Sequence, residues 1–185
     1  MTQMIHKCDK ERCIACYSCV VACKEGNHIP VGVARRWVVQ RNEGTSDEES
    51  ISLACRHCEE PKCVEACTDL GADVIKKRKA DGIVQVDREG CISCESCVDA
   101  CPYGVPKFLR DKDGNPTSAM VKCTFCAGGQ GVKPFSKKEK ELYGQNRIAE
   151  GKRPICSAFC STKALMSGEK ERINAAFKKR AAARS

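Results

Sequence analysis

Large rings are scarce in this chain: one tryptophan, three tyrosines and five phenylalanines among 185 residues, or 5% aromatic. So little bulk excludes a core built on aromatic packing, and something else must hold the fold together. Also missing is any apolar run long enough to cross a bilayer. The opening Met1-Thr2-Gln3-Met4-Ile5-His6-Lys7-Cys8 has neither an apolar signal core nor a twin arginine. The expectation is a cytoplasmic protein with no membrane span. Catalytic signatures are absent as well, with no G-x-G-x-x-G, P-loop, G-x-S-x-G or H-E-x-x-H. These absences argue against an enzyme with a catalytic site of its own.

Cysteine is what the chain has in place of a large core. Seventeen cysteines at this density mean a disulfide scaffold, structural zinc or iron–sulfur clusters. A reducing cytoplasm disfavours disulfides and favours metal. The formal charge of +8 invites a nucleic-acid footprint, but that count leaves the cysteines neutral. Each oxidised [4Fe–4S] core carries 2+ and its four thiolates 4−, so four clusters add roughly −8 and cancel the basic excess.

Spacing chooses between the metals. Cys13, Cys16, Cys19 and Cys23 form C-x2-C-x2-C-x3-C, and Cys91, Cys94, Cys97 and Cys101 repeat it, ending in Cys101-Pro102 as a bacterial ferredoxin does. Three cysteines at i, i+3 and i+6 wrap one cubane, whereas two zinc knuckles would leave the third idle. A looser run, Cys55, Cys58, Cys63 and Cys67, lies between. The last group is split: Cys123 and Cys126, a gap of 29 residues, then Cys156 and Cys160. Sixteen cysteines thus provide for four [4Fe–4S] clusters.

In two-cluster ferredoxins the fourth cysteine of each run ligates the other cluster. Nested pairing, first run with fourth and second with third, is the arrangement chosen. Cluster 1 then takes Cys13, Cys16, Cys19 and Cys160, and cluster 4 takes Cys123, Cys126, Cys156 and Cys23. Cluster 2 takes Cys55, Cys58, Cys63 and Cys101, and cluster 3 takes Cys91, Cys94, Cys97 and Cys67. Sequential pairing is the alternative. Cys19 and Cys23 then bind different clusters although their Cα atoms are at most about 14 Å apart extended, or about 6 Å in a helical turn. Such neighbours suit electron tunnelling, while metal ligation also supplies folding energy.

The fold class expected is α+β: two interleaved bacterial-type 2[4Fe–4S] ferredoxin-like units with short strands and helices. Residues 46–114 form an inserted two-cluster unit, and residues 1–45 with 115–185 the outer one. Residues 31–40 and 83–87 read as strands, 42–50 as a loop, and short helices follow the third cysteine of each run. Residues 133–153 read as basic and partly helical, and 169–185 as a basic helix with Ile173 and Phe177 on one face. Cys8 stands outside the quartets as a buried free thiol. His6, His28 and His57 lie near ligands without being needed as ligands, and Trp37 reads as core packing. Glu59, Glu60, Glu95 and Asp99 would make nearby clusters harder to reduce, Lys24 and Arg56 easier.

Beyond spacing, Cys55-Arg56-His57-Cys58-Glu59-Glu60-Pro61-Lys62-Cys63, Cys101-Pro102-Tyr103-Gly104-Val105-Pro106, Lys122-Cys123-Thr124-Phe125-Cys126 and the run from Arg147 through Pro154-Ile155-Cys156 to Cys160 carry a resemblance. The chain resembles the four-cluster iron–sulfur subunits of the dimethyl-sulfoxide-reductase superfamily, which serve molybdenum and tungsten enzymes. It departs from them at Thr68 and Ser161, where proline usually follows the cysteine. The resemblance supports nested pairing. It implies an electron-transfer subunit, not itself catalytic, beside a molybdenum- or tungsten-pterin catalytic subunit of formate dehydrogenase, aldehyde oxidoreductase or benzoyl-coenzyme A reductase type, with a further redox subunit or soluble carrier as second partner. The alternatives are a free-standing polyferredoxin and, from another class, a zinc-ribbon nucleic-acid-binding protein.

Overall fold

In the computed structural model, which describes residues 2–129 and 137–184, every regular element is short. The four cysteine runs explain why. A C-x3-C pair placed on a helix puts both sulfurs on one face, one turn apart; Cys19 with Cys23 and Cys63 with Cys67 are placed so, while Cys101 and Cys160 follow the ends of shorter helices. Helices α1 (Ser18–Gly26), α2 (Lys62–Asp69), α3 (Ser96–Asp99) and α5 (Ile155–Ala158) each begin one residue before the third cysteine of their run. They therefore start slightly earlier than the spacing predicts, with Cys19, Cys63, Cys97 and Cys156 already inside the first turn.

Strands pair in three antiparallel two-stranded ribbons. Strands β1 (Met4–Cys8) and β6 (Leu165–Glu169) join the two ends of the chain, with His6 opposite Ser167 and Cys8 opposite Leu165. Strand β2 (Arg36–Arg41) pairs with β3 (Glu49–Ala54), so strand structure begins later than residue 31, and Glu49 and Ser50 belong to β3. This ribbon straddles residues 45 and 46, between which the sequence reading divides its two units. Strands β4 (Ile75–Lys77) and β5 (Val84–Val86) form the third ribbon. No two-stranded ribbon is stable alone, and each lies against cysteine-bearing loops.

Helix α4 (Lys137–Tyr143) accounts for part of the basic segment at 133–153, whose residues 133–136 lie outside the described residues. Helix α6 (Lys170–Ala182) packs on β1 and β6. There the Lys7 ammonium lies 4.1 Å from the centre of the Phe177 ring. Among the described residues no helix is long and apolar enough to cross a membrane. The buried interior contains few rings, chiefly Phe108 and Phe125, and is made up largely by cysteines packed with Ile75, Ile83, Val84, Met120 and Val121. Trp37 is half-buried and packs beside the group formed by Cys55, Val105 and Cys123.

Candidate iron–sulfur sites

Four loops with the same backbone signature carry the cysteines. Two residues after the first cysteine of each run, Ala15, His57, Ser93 and Phe125 all occupy the left-handed region, with φ of 51°, 48°, 58° and 59°. Tyr17 and Glu95, each directly after the second cysteine of its run, do so as well. Non-glycine residues avoid that region, at a cost of roughly 1–3 kcal/mol each. Their recurrence in all four loops means that the chain is turned tightly around a common centre. At Cys123 the result is visible: the Phe125 backbone N–H donates to its sulfur at 3.3 Å.

Cysteines from separate runs line shared cavities. One is lined by Cys8, Cys13, Cys16, Cys19 and Cys160. Another is lined by Cys67, Cys91, Cys94 and Cys97. Burial, then repulsion from Cys123, Cys156 and Cys126, pushes the Cys23 thiol far up. Burial raises Cys58, with Cys55 and Cys101 adding to it. Cys63 is pushed up to about 11 by burial, against the opposing Lys122 ammonium and with repulsion from Cys55, Cys101 and Cys58.

Further couplings join one group to the next. Besides burial, the Arg36 charge and Cys126, Cys156 feels Cys19. Cys123, raised to about 11 by burial against the pull of Arg36, feels Cys156 and then Cys55. Cys97, raised to about 12 by burial, feels Cys63 before its own loop partners. Cys16 and Cys94 are the exposed cysteines, while the others are buried or half-buried.

The donor set fits an anionic sulfur-ligated cluster. All seventeen cysteines are free thiols, and thiolates with no other partner are what such clusters require. Buried cations supply a second test. Arg36 is 1% exposed; its Nη1 donates to Ser52 Oγ at 2.8 Å, while Nη2 has no partner. Burial pulls this guanidinium down, yet Cys156, Cys123, Cys23 and Cys19 outweigh it and leave it above its ordinary value. Arg35, also buried, donates to the Tyr143 carbonyl at 3.0 Å and has an unpartnered Nε. Lys122 is buried with its ammonium on the Val84 and Cys123 carbonyls. Among the described residues no carboxylate is paired with any of the three. A buried charge without a counter-charge is costly, and a thiolate-ligated cluster, with its net negative charge, would provide what they lack.

Smaller groups fall where the sequence did not place them. Cys8 is half-buried, not buried, and lies in the first cavity, its sulfur accepting from the Ser52 N–H at 3.4 Å. Burial, modestly offset by that N–H and reinforced by Cys13, raises it to about 11. Glu59 pairs with Lys170, and Glu95 with Arg110, so their charge is partly offset. Lys24 turns to the Pro30 and Val33 carbonyls at 3.0 and 2.9 Å, and Arg56 covers Tyr103. His28 is exposed, but His57 is buried, and His6 approaches Cys123. The buried arginines were missed by sequence reading. Adjacent arginines at the start of an apolar strand were their only signal.

Comparison with known proteins agrees with this chemistry. A 4Fe–4S dicluster domain family matches residues 47–170, and a 4Fe–4S binding domain family matches residues 10–26. The formate dehydrogenase iron–sulfur subunit of Wolinella succinogenes is 50% identical over 174 residues, covering 94% of this chain and 84% of that one. The thiosulfate reductase electron transfer subunit PhsB of Salmonella typhi is 36% identical, covering 89% and 74%. One chain of the anaerobic dimethyl sulfoxide reductase of Escherichia coli is 32% identical, covering 86% and 70%.

Proposed function

From the premise that the protein belongs to the 4Fe–4S dicluster family, as an iron–sulfur electron-transfer subunit of the dimethyl-sulfoxide-reductase superfamily holding four [4Fe–4S] clusters, we propose that it links a formate-dehydrogenase-type catalytic subunit to a second redox partner. That catalytic subunit would carry molybdenum or tungsten on a pterin. The 50% identity to a formate dehydrogenase subunit favours this partner over the aldehyde oxidoreductase and benzoyl-coenzyme A reductase kinds. The second partner is a further redox subunit or a soluble carrier.

The ligand sets proposed are the nested ones. Cys13, Cys16 and Cys19 with Cys160 hold the first cluster, and Cys55, Cys58 and Cys63 with Cys101 the second. Cys91, Cys94 and Cys97 with Cys67 hold the third, and Cys123, Cys126 and Cys156 with Cys23 the fourth. The two cysteine-lined cavities support the first and third sets, with Cys8 beside the first. Mutual repulsion among the buried thiols supports the others. When bound, each cluster takes up and returns one electron. The chain's part is to hold the sites in the order first, fourth, second, third. The observation that carries this reading is the exposure of Cys16 and Cys94 at the two ends of that line.

The two-unit plan belongs to the same proposal. Pairing of β1 with β6 closes residues 1–45 and 115–185 into an outer unit, and the β4–β5 ribbon lies within the inserted 46–114. Ribbon β2–β3 serves as the strap between them. A reducing compartment, the cytoplasm, suits seventeen free thiols. Anaerobic purification from the native source tests the whole. The expected result is about sixteen iron atoms per chain and co-elution with a larger molybdenum- or tungsten-containing subunit. A chain that elutes alone with full iron would make it a free polyferredoxin and overturn the partner assignment. A colourless protein holding zinc would overturn the cluster reading.

A further inference from the structure

His6 and His57 meet at the Cys123 sulfur, between the fourth and second sites. A ring nitrogen of each and the sulfur all lie within 4.8 Å of one another. His6 Nε2 is 3.5 Å from Cys123 Sγ, and its Nδ1 is 2.6 Å from Ser167 Oγ. His6 also stacks on Phe125 with ring centres 4.3 Å apart, which fixes its plane. His57 accepts the Val84 backbone N–H on Nδ1 at 3.1 Å, so its proton is on Nε2, a buried atom with no partner in the protein.

The tautomer follows from what each atom faces. A cluster-ligating thiolate only accepts hydrogen bonds, so an Nε2 lone pair turned toward it would repel. The proton is therefore on Nε2, and the Ser167 hydroxyl, placed opposite His6 by the β1–β6 register, donates to Nδ1. The His6 N–H then points at one corner of the fourth site, with the His57 ring beside it. Hydrogen bonds to cluster sulfurs set reduction potential, because they stabilise the more negative, reduced state.

We propose that His6, oriented by Ser167, is a positioning donor to the Cys123 sulfur that raises the reduction potential of the fourth site. The proposal rests on the ligand set proposed above. It makes the fourth site a better electron acceptor than the same cluster would be without that donor.

Redox titration followed by EPR on the iron-loaded protein tests it. In His6→Phe, which keeps a ring on Phe125 but loses the donor, one of four potentials is expected to become more negative while the other three stay. Ser167→Ala is expected to shift the same potential in the same direction, by less. Full iron with all four potentials unchanged, or a shift spread over all four, overturns the proposal. Should His6→Phe lose iron, the wild-type protein decides: pulsed EPR in D2O is expected to show an imidazole nitrogen and its exchangeable deuteron coupled to a single cluster, beside the backbone amides that also face the sulfurs. Absence of the imidazole nitrogen coupling overturns it. Wild-type protein that binds no iron would instead defeat the cluster reading itself.

Discussion

Cys19 and Cys23 sit on one face of α1, both buried, yet they face different groups of sulfurs. Cys19 lines the first cavity, and Cys23 is repelled chiefly by Cys123, Cys156 and Cys126. On the nested assignment, Cys23→Ser removes one ligand from the fourth cluster and leaves the first with all four. Iron is expected to fall from about sixteen toward about twelve atoms per chain, with loss of one EPR signal and retention of the Cys13 cluster. Loss at the Cys13 site would show the pairing to be sequential. The cysteine runs and the cluster type were legible because coordination needs sulfur at fixed intervals. Arg35, Arg36 and Lys122 were not, because a buried cation is recognised only by what surrounds it, and their thiol neighbours come from distant parts of the chain.

Between elements, the approach of α1 to the end of α4 leaves little space. Gly144 has φ of +85°, and a β-carbon there would lie 2.5 Å from Asn27 Oδ1 and 2.9 Å from Asn27 Cα. Asn27 cannot withdraw without cost, because its side-chain N–H donates to the Cys23 carbonyl at 2.9 Å and reaches the Cys23 and Cys126 sulfurs at 3.8 and 3.9 Å. Gly144→Ala is therefore expected to destabilise the protein by about 1–3 kcal/mol, seen as a lower temperature for loss of visible absorbance. A glycine in a polar loop does not announce this role in sequence. Helices on the C-x3-C pairs were legible, since helical periodicity and ligand spacing coincide. Their start one residue early was not, because the left-handed residue before α1 and α3, Tyr17 or Glu95, is itself a product of closing the loop.

At the scale of the whole molecule, the interior depends on metal. Its buried groups combine cysteines with a modest set of aliphatic residues, and the strained loops and unpaired cations cost energy that ligation offsets. Removing iron with a chelator under anaerobic conditions is expected to abolish helix and strand signals together, since the loss exceeds a stability margin of about 5–15 kcal/mol. Circular dichroism measured during chelation checks this, and native-like secondary structure in the iron-free chain would contradict it.

By itself the sequence determined the metal, the number of sulfurs and the local loop-to-helix units, because each depends on residues within a few positions of one another. It also limited which sites could be neighbours, through the reach of three intervening residues. Only the tertiary structure decided which groups meet across the chain and which stay outside: His6 against Cys123, Arg36 among four thiols, and Cys16 and Cys94 left exposed. Those depend on how β1 pairs with β6 and how the β2–β3 ribbon crosses the molecule. Burial and long-range approach are properties of the packed whole, and no local spacing encodes them.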